Sequence, residues 1–189
     1  MAVLMRAPFL LRAACALLAC LLTWNAPAYA QANPVERQVK AAYLYKFAGF
    51  VEWPEGSFAR PDSALQIGVA GNDALAEQLE QMVGERPVNG HLVTVRKVRR
   101  GDTLAGLHVL FVGSMDRGAM AELLGAARGR SLLTVSDSDE AHLLGSMVNL
   151  VLVDDKLRFE VALRPVTSGR LRISARMLAA ARKVQQEAS

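Results

Sequence analysis

Residues 147–163 read MVNLVLVDDKLRFEVAL. Two apolar-rich runs, Met147–Val153 and Lys156–Leu163, flank the polar pair Asp154-Asp155. A two-residue polar break between such runs is the spacing of a β-hairpin, although Asp-Gly would be the stronger turn signal. Upstream, short strands alternate with helical patterns. Leu65 to Ala70 reads as a buried strand, and Gly71-Asn72-Asp73 turns the chain into a helix over Ala74 to Val83 with Asp73 as the expected N-cap. His91 to Val95 and Leu107 to Val112 follow as strands, the second apolar enough to be buried on both faces. A helix from Asp116 to Ala127 turns Met120, Leu123 and Leu124 inward and ends at Gly129, and Leu132 to Val135 forms the next strand.

Two helices frame this core. In the first, Val35, Val39, Ala42, Tyr43, Phe47 and Phe50 recur at helical spacing, Pro34 occupies a tolerated first-turn position and Pro54 stops the helix after Trp53. In the last, from Ile173 to Gln185, Ile173, Met177, Ala181 and Val184 share one face beside a basic stripe of Arg172, Arg176 and Lys183. The expected fold is therefore a single α/β domain: a mixed sheet flanked by helices, parallel at its start and antiparallel at its end, with a C-terminal β-hairpin and helix.

The first thirty residues have a different character. Arg6 and Arg12 precede the apolar block Phe9 to Leu22, and Ala28-Tyr29-Ala30 places small residues before a cut at Gln31. This is the pattern of a cleaved secretory signal peptide (1–30), leaving a domain over 31–189. The block is too short to span a bilayer, which takes about 20 apolar residues. A rival reading makes Cys20 a lipid-anchor site, and the continuing apolar pair Leu21-Leu22 argues against it. Cys15 and Cys20, the only cysteines, both fall in the removed segment, so the mature chain has no thiol chemistry, disulfide or cysteine metal site. It keeps 20 basic against 18 acidic side chains, a balance that does not suggest nucleic acid as a partner. Arg96, Lys97, Arg99 and Arg100 crowd one loop and are expected to be ordinary solvated charge.

Four segments carry a resemblance: VKAAYLYKF at 39–47 with FVEWP at 50–54, LLTVSD at 132–137, GSMVNL at 145–150, and RFEV at 158–161 with LRISARML at 171–178. In this order they resemble the YfiR family of periplasmic repressors of membrane-bound diguanylate cyclases. The resemblance implies a periplasmic protein, acting without catalysis, that holds the sensory domain of an inner-membrane diguanylate cyclase inactive and so lowers cyclic di-GMP and biofilm formation. It further implies sequestration by an outer-membrane lipoprotein, and it leaves room for a homodimer. Some relatives carry cysteine pairs in the mature domain. This chain has none, so a redox role does not transfer.

The residues themselves offer no catalytic constellation, cofactor site or metal site. His91, His108 and His142 lie in no nucleophile or metal motif, and His91 and His108 begin strands, where an edge or surface position is expected. Asp137-Ser138-Asp139-Glu140 lacks the later ligands of an EF-hand loop. Gly71-Asn72-Asp73 opens a helix but has neither further glycines nor a phosphate lysine. Ser146 lacks the second glycine of a nucleophile elbow and reads as a small residue where backbones approach.

What remains is a surface. Trp53, beside a helix-ending proline, suits a half-exposed anchor, because hot spots favour Trp, Tyr and Arg. Glu160, Arg170, Arg172 and Arg176 bring charge to the hairpin and last helix, where arginine forks pair well with a partner's carboxylates. The bland alternative is plain surface charge with Glu160 paired internally. A periplasmic small-ligand-binding module serving another receptor or transport system is the other functional class in view.

Overall fold

The computed structural model describes residues 34–186, all within one compact unit; the expected signal peptide lies outside the described residues. In chain order the elements are α1 (Pro34–Phe50), β1 (Val51–Glu52), β2 (Leu65–Ala70), α2 (Asp73–Val83), β3 (Pro87–Val88), β4 (His91–Lys97), β5 (Val109–Val112) and α3 (Arg117–Ala127). There follow β6 (Leu133–Ser136), α4 (Asp139–Leu143), β7 (Val148–Val153), β8 (Lys156–Ala162), α5 (Leu163–Ser168), β9 (Arg172–Ile173), α6 (Ala175–Ala180) and β10 (Lys183–Gln185).

The main sheet has eight strands in the order β10-β8-β7-β6-β5-β2-β4-β3, and β1 and β9 form a separate antiparallel pair. From β4 to β7 all neighbours are parallel. β7 and β8 are antiparallel, and β10 then runs parallel to β8. The fold is thus the expected mixed α/β sheet flanked by helices. Strand alternation divides the core in two. Ile67, Val69, Val109, Phe111 and Val135 face Leu44, Phe47, Leu75 and Leu79 of α1 and α2. Ala70, Leu110 and Val112 face Met120 and Leu124 of α3 and Ala141 of α4.

The hairpin forms as read, with Val153 paired to Lys156 across a two-residue loop. Asp154 and Asp155 both take positive φ, 48° and 57°, the backbone of a type I′ turn, whose twist matches that of the strands. Aspartate tolerates this conformation better than most residues, which is how the pair serves without glycine.

Four expectations are corrected. α2 is capped by Asn72, whose Oδ1 accepts the Leu75 N–H at 3.0 Å, and Asp73 is its first residue. α1 stops at Phe50, because Val51 and Glu52 are taken into the ladder with β9. Its inward face is Lys40, Ala41, Leu44, Phe47 and Ala48, whereas Val35 and Val39 are exposed. Small Ala41 and Ala48 let the helix sit close to its neighbours, and Lys40 is drawn inward by an ion pair described below. Finally, 173–185 is not one helix. Ser174 caps a short α6 through its Oγ, which accepts the Met177 N–H, and the chain leaves α6 at Ala181 in an extended conformation. The Arg182 N–H then donates to the Phe159 carbonyl at 2.8 Å, and Lys183–Gln185 completes the outer ladder of β8. Pairing an open strand edge outweighs the helical preference of this stretch.

Candidate functional site

The site is built where the two ends of the domain meet. Val51 pairs with Ile173 and Glu52 with Arg172, and the Ser174 N–H donates to the Phe50 carbonyl at 2.9 Å. Val51 is buried, which leaves Glu52 and Arg172 on the outside, 3.7 Å apart and largely exposed. Trp53 follows directly. It is half-buried, edge-on to the His108 ring at 5.5 Å, and its buried Nε1 has no hydrogen-bond partner. Arg170, at φ 58° in the turn after α5, and Arg176, on α6, are exposed and form no ion pair among the described residues. The segments FVEWP and LRISARML, far apart in sequence, therefore meet through the β1–β9 ladder, which sets Glu52 against Arg172; Trp53 follows β1, Arg170 precedes β9 and Arg176 follows it. Glu160 is placed elsewhere, on β8, where it is nearly buried and its carboxylate binds Arg182. It is paired within the chain.

Beneath Trp53 lies an aromatic layer that the sequence reading missed. Phe58 stacks on His91 at 3.8 Å and on His108 at 4.2 Å between ring centroids. His108, expected at the surface, is 3% exposed. Its Nδ1 accepts the Gln66 N–H at 3.1 Å, so the ring proton sits on Nε2 and is donated to the Ser57 carbonyl at 3.1 Å. Burial pushes its pKa below the ordinary histidine value, against the pull of the Ser57 carbonyl, and nearby His91 lowers it further. Both ring nitrogens are engaged, so this histidine supports the tryptophan and offers no free base. Its edge-and-stack contacts hold the indole in place.

The other shared segments are joined to one another. The Lys40 ammonium lies 2.7 Å from both Asp137 and Glu36. Burial of Lys40 favours the neutral amine, yet the hydrogen bonds and charges of Asp137 and Glu36 outweigh it, and its pKa is raised. Ser136 Oγ donates to Asn149 Oδ1, and Asn149 Nδ2 donates to Asp139. Thr134 Oγ1 accepts the Met147 N–H, and the fully buried Ser146 hydroxyl donates to the Val148 carbonyl. With Glu140 bound to Arg117, the acidic stretch 137–140 is spent on neighbours. Among the described residues no group of three His, Cys, Asp or Glu is placed to hold a metal.

Lys40, Asp137, Asn149 and the β1–β9 pair lie within residues 37–182, which match the family model described as YfiR/HmsC-like. The chain belongs to the YfiR/HmsC-like family. No curated protein matches it. Membership of the YfiR/HmsC-like family points to a regulator of diguanylate cyclase signalling. No helix among the described residues is long and apolar enough to cross a membrane.

Two further regions narrow what this YfiR/HmsC-like domain can do. In the parallel part of the sheet the chain reverses direction between β2 and β5, the position where open α/β sheets commonly bind nucleotides. Here the two strand ends are drawn together by backbone. The Gly113 N–H donates to the Ala70 carbonyl at 2.9 Å, and a Cβ on Gly71, whose φ is +74°, would lie 3.0 Å from the Ser114 carbonyl oxygen. The basic loop is neutralised: Lys97 pairs with Glu77 at 2.8 Å, Arg99 with Asp73 at 2.7 Å and Arg100 with Glu122 at 2.9 Å, while Arg96 donates to the Thr103 carbonyl.

Proposed function

We propose that the exported chain is a periplasmic, non-enzymatic repressor that docks on the sensory domain of an inner-membrane diguanylate cyclase, lowering cyclic di-GMP and biofilm formation. The docking surface is the β1–β9 unit, with Trp53 as apolar anchor and Arg170, Arg172 and Arg176 as carboxylate-binding rim. Glu160 serves from behind, by holding Arg182 in the turn that leads into β10. The observation that supports this reading is a half-buried tryptophan on the β1–β9 unit together with Arg170 and Arg176, which form no ion pair among the described residues, and Arg172, which has only a loose contact to Glu52. Repression requires that the surface bind the inactive cyclase better than the active one, since a ligand shifts an equilibrium only by its differential affinity. An outer-membrane lipoprotein that covers the same surface would relieve repression, and a homodimer of the domain could present two such surfaces.

Deletion of the gene should raise cyclic di-GMP. Restoring the wild-type chain should lower it again, and restoring a chain carrying Arg170→Glu, Arg172→Glu and Arg176→Glu should not. Equal complementation by the two chains would refute the assigned surface, and unchanged cyclic di-GMP on deletion would refute the function.

A further inference from the structure

A cavity of about 430 Å³ opens between the end of α3, the turn after α4, the start of α5 and strand β10. Its size falls in the range of small-ligand sites, roughly 300–1,000 Å³. Leu124, Ala127, Leu144, Met147 and Pro165 give it apolar walls. Its charge is one-sided: Arg128 and Arg164 contribute, and among the described residues no aspartate or glutamate does. Both arginines are exposed, and among the described residues neither guanidinium joins an ion pair or hydrogen bond, unlike the arginines of the basic loop. The Gln185 amide nitrogen lies 3.1 Å from His142 Nε2. An amide NH₂ only donates, so that ring nitrogen accepts and the ring proton is on Nδ1. This Nδ1 is buried and has no hydrogen-bond partner.

We propose that this cavity binds a small organic acid, with its apolar body against Leu124, Leu144 and Met147 and its carboxylate between Arg128 and Arg164. A purely apolar ligand would leave the guanidinium forks unused, and a bare inorganic anion would leave the apolar walls wet. The site does not depend on the cyclase reading, because the walls that define it include neither Trp53 nor Arg170, Arg172 or Arg176.

The test is calorimetric titration of the full mature chain with 3-phenylpropionate, with its neutral amide and with inorganic phosphate. Saturable binding of the acid is expected, about tenfold or more tighter than that of the amide, as a charge-assisted contact implies. Phosphate should bind no better than the amide. The double variant Arg128→Gln/Arg164→Gln changes exposed side chains only, so it should fold as wild type by thermal melting and bind the acid about tenfold or more weakly. Equal binding of acid and amide, an unaffected double variant, or no saturable binding by the acid would each overturn the assignment. None of these outcomes bears on repression of a cyclase.

Discussion

The domain carries two clusters of arginine that look alike as sequence and differ in what surrounds them. In the loop after β4, every guanidinium or ammonium is answered by an acid or a carbonyl of the same chain. Around β9 and α6, Arg170 and Arg176 form no ion pair among the described residues, and Arg172 has only a loose, solvent-exposed contact to Glu52. A count of basic residues cannot separate these cases, because what makes charge available to a partner is the absence of an internal counter-charge. The first cluster ties β4 and its loop to α2 and α3; the second, among the described residues, ties nothing except Arg172 loosely to Glu52.

The sharpest way to break this contrast is to neutralise each cluster and measure binding to membranes that contain the cyclase. Arg170→Gln/Arg172→Gln/Arg176→Gln should weaken binding by about a hundredfold, the scale of a few hot-spot arginines. Arg99→Gln/Arg100→Gln should change it by no more than about twofold, since charges outside an interface act mainly through encounter rates. Equal losses would erase the distinction.

Next in size is the pair that is both answered and buried. Lys40→Ala would leave Asp137, whose side chain is 13% exposed and whose Oδ1 is already unpartnered, without its cation. A loss of about 2–3 kcal/mol in urea unfolding is expected, the scale of breaking a buried pair with some solvent access. Smaller still is the effect of His108. Its native pKa is depressed, so the unfolded chain takes up the proton first as pH falls. The stability it contributes is fully present above the ordinary histidine value of 6.5 and is lost as pH drops from there toward the folded value. Melting curves between pH 7 and 5 should show this decline, and His108→Gln should flatten it; an unchanged slope would mean another group titrates. Least of all, Arg99→Ala should cost about 0.5 kcal/mol or less by the same urea assay, because its ion pair is solvent-exposed.

The legible parts of the fold were those encoded locally. The β7–β8 hairpin, the buried runs of β2, β5 and β6, and helix α3 each follow from residues adjacent in sequence. Residues 173–185 were misread because Met177, Ala181 and Val184 satisfy a helical repeat, whereas the open edge of β8 that recruits Lys183–Gln185 is a partner from elsewhere in the chain. α1 shows the same limit, since Lys40 is inward only because Asp137 waits there. At the site, Trp53 and the arginines stand out by residue type, but their meeting through β1 and β9 is non-local, as is the His91–Phe58–His108 layer. The cavity draws its lining from α3, α4, α5 and β10, and no single segment announces it.

β10 is three residues long, and without it the outer rim of β8 would present a row of bare amides and carbonyls to solvent. Such a rim is a template for strand addition by other chains. A chain cut short after Arg182 would keep the Glu160–Arg182 pair and nearly all of its hydrophobic interior and yet acquire a self-associating margin. Its defect would then be read in light scattering before it was read in a melting temperature.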